Sequence, residues 1–523
     1  MKRLNGFMKL DNIRLYGILI MIAASAAFIS VQNIILTPDS ISYALASQQI
    51  LSGNGISVPL IRITDNDVPV NGLVPLIMYP PLLPIFLAVL GGVTPQSFLA
   101  AQILNVISHV LIAVFTFMLV NHLCGKVPAF LAGLLVSLSF PLMNVTHYLW
   151  SETLFIALTV AALYLSAVSR DNGVYQTRYL LIAGICSSAA IITRYAGIAL
   201  IGMLFWNALV IVKNRKTKLS YLSVILSVII PALTVAAVFT YNYMVSGSLR
   251  GYNPPIIERT YIAAFIGTIN MLLMQFTSSR PISIIAAFLI FYTFFNPALR
   301  REMLKLFNSG MDLIIVFIIA YTAIIGVSMA KSQPNFELRY MSPLVPMLLI
   351  ISFSFILPIV NELKYKVGII TSRCGLVLAM GILTYTSCYK TIMNLPEFFA
   401  KNDRIYSILD SCTFNWTINN YGKDIIIATN NPFNLSFFGE YSTVLLPRER
   451  WFIKNYPNED IESALANSLS GVKAQVLVLF NEVNVHYYGK YLDQLINNRA
   501  DRDKFTLANE CSDGVVYLLR HHP

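Results

Sequence analysis

Charge is what this sequence has least of. Of its 523 residues only 12% are charged against 56% hydrophobic, whereas an average soluble domain carries roughly a quarter charged residues. No soluble core can hide that much apolar chain, which excludes an ordinary globular protein. Histidine is scarce, six in all, and with no second histidine at ligand spacing His147 reads as structural. The six cysteines are scattered, with Cys124, Cys186, Cys374 and Cys388 in or beside apolar segments and none at metal-ligand spacing. No metal is assigned and no cofactor is required. Cys412 and Cys511 form the one pair in a polar region, a candidate disulfide if that region faces an oxidising compartment. Internal repeats and low-complexity segments are absent, and with them the usual signature of a transporter built from repeated halves.

What is present in quantity is long apolar runs. Leu15 to Leu36, Pro128 to Val145 and Tyr221 to Tyr243 contain no acidic or basic residue and reach the roughly 20 residues that span hydrocarbon. Lys2, Arg3, Lys9 and Arg14 precede the first run as in a signal peptide, but the run continues well past Ala24-Ser25-Ala26, so it reads as a retained helix. The net charge of +11 is not a nucleic-acid signature here. The basic residues cluster in short loops: the N-terminus, Lys126, Arg170 to Arg178, Lys213 to Lys218, Arg300 to Lys305 and Lys364 to Arg373. Cytoplasmic loops are enriched in Lys and Arg.

Placing these loops inside gives about eleven spanning helices, near 13–36, 97–122, 127–146, 152–169, 179–193, 196–212, 219–243, 281–298, 311–330, 341–360 and 374–390. Two further apolar stretches, Tyr79 to Gly92 and Tyr261 to Phe276, break the alternation if counted singly and are assigned as interfacial or re-entrant; counting both gives about thirteen. Arg250, Arg259, Arg280 and Lys331 fall outside against the rule. The expected fold is a polytopic α-helical membrane protein of about 11–13 helices in the plasma (inner) membrane. Residues 1–390 form the membrane domain, with 37–78 as its first outer loop. Residues 391–523 are polar, with short aliphatic runs (Asp424 to Thr429, Thr443 to Leu446, Gln475 to Phe480, Val515 to Leu519) between helical patterns. They read as a small α/β domain, extracytoplasmic by parity.

The first outer loop is long, and long ordered loops are usually functional. Asp39 sits at its membrane edge in Thr37-Pro38-Asp39-Ser40, and is either a carboxylate at a helix start or a catalytic base. Glu152, in Trp150-Ser151-Glu152, either opens a helix or is the second of two carboxylates on one side of the membrane. Arg194, in Thr193-Arg194-Tyr195, and Arg339, between Glu337 and Tyr340, suit a lipid phosphate. Snorkelling, or for Arg339 pairing with Glu337, accounts for them equally well. Arg62 is a further candidate for the phosphate.

In order and spacing these features resemble the GT-C superfamily of membrane glycosyltransferases, in particular the bacterial branch similar to protein O-mannosyltransferases and the lipid A aminoarabinose transferase. The residues that carry the resemblance are Asp39 with Tyr43 and Ala46, Tyr79-Pro80-Pro81-Leu82, Ser151-Glu152, Thr193-Arg194, Arg339-Tyr340 with Pro343 and Pro346, and the C-terminal domain. The resemblance implies a polyprenyl-phosphate sugar donor and inverting transfer to a glycan, lipid or protein acceptor at the outer face. Asp39 would be the base, Glu152 the second acidic residue, and Arg194, Arg339 and Arg62 donor-phosphate ligands. Tyr43, Tyr79 and Tyr340 would contact substrate. Many relatives carry Asp-Glu at the first site, whereas Ser40 follows Asp39, so a metal resting on that pair has no support. The alternative function is a transporter or flippase for a lipid-linked saccharide.

Overall fold

The computed structural model describes residues 2–63, 69–170, 176–214, 219–249, 251, 259–276, 306–331, 337–355, 391–399, 407–481, 490–497 and 503–520. The expected spans at 281–298 and 374–390 lie outside the described residues. Up to residue 355 the main described helices, in chain order, are α1 (Lys2–Ser30), α2 (Pro38–Leu51), α3 (Leu82–Val89), α4 (Leu99–Cys124), α5 (Lys126–Leu138), α6 (Phe140–His147), α7 (Glu152–Val168), α8 (Gln176–Ile191), α9 (Ala199–Asn214), α10 (Leu219–Ser246) and α11 (Tyr261–Phe276), followed by Asp312–Lys331 and Leu338–Phe355. Among the described residues five helices are long and apolar enough to cross a membrane, or six if α5 and α6 count as one bent span. The expected single helix at 127–146 is in fact that pair, bent by 46°. Pro141, at the second position of α6, has no N–H to continue the α5 ladder. The Tyr79 to Gly92 stretch forms only the eight-residue α3, far too short to span.

The chain packs as two compact units. One comprises Met1–Ile34, Gln102–Val238 and Pro254–Ala400, the other Ile35–Ala101, Phe239–Asn253 and Lys401–Pro523. The core of the first is continuous and apolar, centred on Phe117, Phe155, Leu200, Phe317 and Tyr321, all almost fully buried. The same unit holds a half-buried charge network: Arg170 makes a two-pronged ion pair with Asp312 at 2.7 and 2.9 Å and donates from Nε to Asn207 at 2.8 Å, while Trp206 Nε1 donates to Asp312 at 2.6 Å. Charges in an apolar unit are tolerated when paired in this way.

The second unit is built on a six-stranded sheet of order β2-β5-β4-β6-β8-β7, where β2 is Leu60–Arg62, β4 Ile426–Thr429, β5 Ser442–Leu445, β6 Val476–Phe480, β7 Phe505–Cys511 and β8 Gly514–Leu519. The short strands β1 (Ser57–Val58) and β3 (Val74–Pro75) pair separately. Strands β2, β5, β4 and β6 run parallel, and β8 and β7 close the far side antiparallel. The four aliphatic runs of the sequence become β4, β5, β6 and β8. β7, with its mixed Phe-Thr-Leu-Ala-Asn-Glu-Cys pattern, has no such run, and β2 is only three residues long; neither is legible from hydropathy. The loop at 37–78 thus supplies an edge strand, Ile61 pairing with Val444.

Cys412 and Cys511 are joined in a disulfide across 99 residues of chain. One group with metal-ligand proximity, Cys412, Cys511 and Asp513, is not a metal site because both sulfurs are already bonded. Closing a loop of this length restricts the unfolded chain by roughly 4–5 kcal/mol in the chain-entropy model. Replacing both cysteines by alanine is expected to lower the stability of this unit by about 2–5 kcal/mol, read from urea unfolding followed by the fluorescence of Trp416 and Trp451.

Candidate active site

The site residues named from the sequence gather in two clusters, one in each unit. In the sheet unit, Thr37 caps α2: its hydroxyl accepts from the Ser40 N–H at 3.4 Å, and Pro38 occupies the first helical position, where its missing N–H costs nothing. Asp39, in the first turn, is therefore not the capping side chain. Tyr79 Oη donates to Asp39 Oδ1 at 2.7 Å, and the Tyr43 and Tyr79 rings lie 5.0 Å apart. Burial, then the Asp39 carboxylate, push the Tyr79 phenol well above its ordinary range; the nearby Arg62 charge opposes them. The phenol stays protonated and holds one carboxylate oxygen in a fixed direction. Asp39, Tyr43, Arg62 and Tyr79 thus form one group.

In the membrane unit, Ser151 stands at the start of α7 without making a side-chain cap. Its hydroxyl instead accepts from Arg194 Nη1 at 3.0 Å. Glu152, the first residue of α7, is 1% exposed, and its Oε1 lies 2.7 Å from Arg194 Nη1 and 4.0 Å from Arg339 Nε. Arg339 also pairs with Glu337 at 2.5 Å, so the bland pairing foreseen for it exists. The Arg339 guanidinium lies 4.4 Å from the Trp150 ring and 5.1 Å from that of Tyr340, a cation–π arrangement that orients a charge without neutralising it. Trp150 is itself stacked on Tyr148 at 3.9 Å, and buried Tyr321 donates to the Tyr340 carbonyl at 2.8 Å. Glu152, Arg194, Arg339 and Tyr340 are therefore one cluster, with Trp150 and Tyr321 as members the sequence did not single out. A tryptophan next to Ser151-Glu152 was the one available signal for the first; nothing local marks the second. His147, expected to be structural, has its Nδ1 2.6 Å from the Ser30 carbonyl oxygen.

Arg194 is presented by a tight reversal. α8 ends at Ile191, Arg194 is extended, and a single turn, Tyr195–Ile198, leads into α9. Gly197 makes this possible, because a Cβ there would come within 2.8 Å of the Ile191 nitrogen and 2.9 Å of the Ala190 carbonyl group. Backbone cannot yield cheaply, so Gly197→Ala is expected to cost about 1–3 kcal/mol, seen as a lower Tm of the purified protein.

Residues 78–239, which include the Tyr79, Glu152 and Arg194 positions, match the family model described as dolichyl-phosphate-mannose-protein mannosyltransferase. The chain is a multi-pass membrane protein. Among solved structures it is similar to ArnT from Cupriavidus metallidurans. The form bound to undecaprenyl phosphate aligns with a TM-score of 0.60 at 13% identity, and the apo state with 0.59 at 14%, each over 96% of this chain and 97% of that one. The archaeal oligosaccharyltransferase AglB from Archaeoglobus fulgidus, in complex with an inhibitory peptide and a dolichol-phosphate, aligns with a TM-score of 0.55 at 13% identity over 94% of this chain and 71% of that one. By sequence, no curated protein matches the chain.

Proposed function

We propose that this protein transfers a sugar from a polyprenyl-phosphate-linked donor to an extracytoplasmic glycan, lipid or protein acceptor, with inversion at the anomeric carbon. The observation that carries the reading is the pair of guanidiniums, Arg194 and Arg339, ordered around the buried Glu152 carboxylate within a GT-C fold. The ArnT and AglB structures hold undecaprenyl phosphate and dolichol-phosphate respectively, which supports the same ligand class here.

The chemistry is a single displacement. Asp39 takes the acceptor hydroxyl proton as the oxygen attacks the anomeric carbon, and the bond from that carbon to the phosphate oxygen breaks with its electron pair passing to the phosphate. The charge that develops there is met by Arg194 and Arg339, stabilisation of the kind that often supplies the largest catalytic term. Arg62 is a further phosphate ligand, Tyr79 aims the base, and Tyr43 and Tyr340 contact substrate. The C-terminal sheet unit is assigned to the extracytoplasmic side, in keeping with its disulfide, which persists in oxidising compartments. Alkylation of whole cells before reduction should leave Cys412 and Cys511 unmodified; labelling of both would place the unit elsewhere.

Transfer from a radiolabelled polyprenyl-phosphate sugar by the purified protein tests the activity, and its absence across donors and acceptors would refute it. Glu337 gives a finer test. It pairs with Arg339 through a side chain 43% exposed, whereas the Glu152 side chain is 1% exposed, so an arriving phosphate displaces Glu337. Glu337→Gln is expected to bind undecaprenyl phosphate several-fold more tightly than the wild type, since a competing anion has been removed.

A further inference from the structure

The turn that carries Trp150, Ser151 and Glu152 follows the broken pair α5 and α6, and α4 supplies donors to the carbonyls of Ser137, Thr146 and Tyr148. In an unbroken helix the N–H of residue 141 would donate to the Ser137 carbonyl, but Pro141 has none. His109 Nε2 stands 3.0 Å from that oxygen. A carbonyl only accepts, so Nε2 carries the proton. His109 Nδ1 lies 3.0 Å from Thr146 Oγ1, itself 2.7 Å from the Leu142 carbonyl oxygen.

The last carbonyls of α6 are orphaned as at any helix end. Asn105 donates its two amide hydrogens to two of the oxygens there, Thr146 at 2.8 Å and Tyr148 at 3.0 Å, and Thr153 Oγ1 donates to the Val145 carbonyl at 3.2 Å. Asn105 and His109 are one turn apart on α4 and so share a face, and they are only 2% and 1% exposed. Polar side chains in an apolar span are costly unless they serve a purpose. Here their partners are the break and the end of the segment leading into Glu152.

We propose that Asn105 and His109 are positioning residues. By holding the backbone from Ser137 to Tyr148 they fix the turn that sets Glu152 against Arg194 and Trp150 against Arg339. The functional half of this inference rests on reading that cluster as the donor-phosphate site. The structural half does not.

The test uses the full-length protein in lipid nanodiscs and two measurements. In hydrogen exchange, Asn105→Ala is expected to speed the amides of residues 149–153 at least tenfold while the middle of α7 keeps its protection. In binding to undecaprenyl phosphate, Asn105→Ala and His109→Ala are each expected to lose about tenfold, in line with the cost of small misplacements at a site. His109→Gln, whose amide offers both a donor and an acceptor, should retain most of the affinity. Asn105→Ala combined with Glu152→Gln should lose less affinity than the product of the two single losses, because part of the effect of Asn105 passes through Glu152. Unchanged exchange in the turn overturns the proposal, as does a double variant whose loss is the product of the single losses. A wild-type protein that fails to bind undecaprenyl phosphate refutes the donor reading, and the exchange result then decides positioning by itself. If Asn105→Ala does not reach the membrane, Asn105→Gln, which moves the amide by one methylene, is read in its place.

Discussion

Asp39→Asn is expected to reduce sugar transfer by roughly 10²- to 10⁴-fold, the range that removal of a general base typically costs, with expression and membrane insertion unchanged. Thr37, not Asp39, caps α2, so the helix does not depend on the carboxylate. Asparagine keeps an oxygen that can accept from the Tyr79 hydroxyl, now 2.7 Å from Asp39 Oδ1, so the local packing survives while the proton acceptor is lost. The measurement is single-turnover transfer from a radiolabelled polyprenyl-phosphate sugar, beside undecaprenyl phosphate binding as the control for an intact donor site. Unchanged turnover would remove Asp39 from the mechanism.

The second large effect concerns the buried ion pair. Arg194→Ala leaves the Glu152 carboxylate, 1% exposed, without its 2.7 Å partner. Breaking a buried pair from one side costs about 3–5 kcal/mol, so this variant should show a much lower Tm and lose transfer altogether. Replacing both partners by apolar residues of similar size removes the stranded charge, and such replacements are often neutral. Glu152→Leu with Arg194→Met is therefore expected to regain most of the stability yet remain inactive. That separation of Tm from transfer is the informative result. A double variant as unstable as Arg194→Ala would show that packing, not charge, dominates at this position, and an active one would sink the phosphate role. Arg194→Lys keeps the charge but not the planar guanidinium whose Nη1 reaches both Ser151 and Glu152, and should recover stability better than transfer.

The membrane helices were legible because one physical rule, the length of apolar chain needed to cross hydrocarbon, operates locally and over many residues at once. The same applies to β4, β5, β6 and β8, whose aliphatic runs announce buried strands. The bend between α5 and α6 was hidden inside a uniformly apolar run, although Pro141 was its sequence mark. β2 and β7 were invisible because a strand of three residues, or one of mixed polarity, is defined by its neighbours in the sheet. At the site, the sequence named Glu152, Arg194 and Arg339 as residues costly to place in an apolar chain, but each carried a bland reading of equal standing. Only the geometry showed Ser151 receiving Arg194 in place of a cap, and Arg339 held over Trp150 while paired with Glu337.

By itself, then, the sequence determined that this is a many-spanning membrane protein with a polar α/β region at its C-terminal end, and which few charged residues are expensive enough to need a reason. The tertiary structure alone decided how those residues pair, that the loop at 37–78 lends a strand to the sheet, and that Asn105 and His109 of α4 donate to the carbonyls of a broken helix. Hydrophobicity sums along a chain and can be read one segment at a time. A hydrogen bond or an ion pair depends on two groups distant in sequence arriving within 3 or 4 Å of each other, and no single segment contains that information.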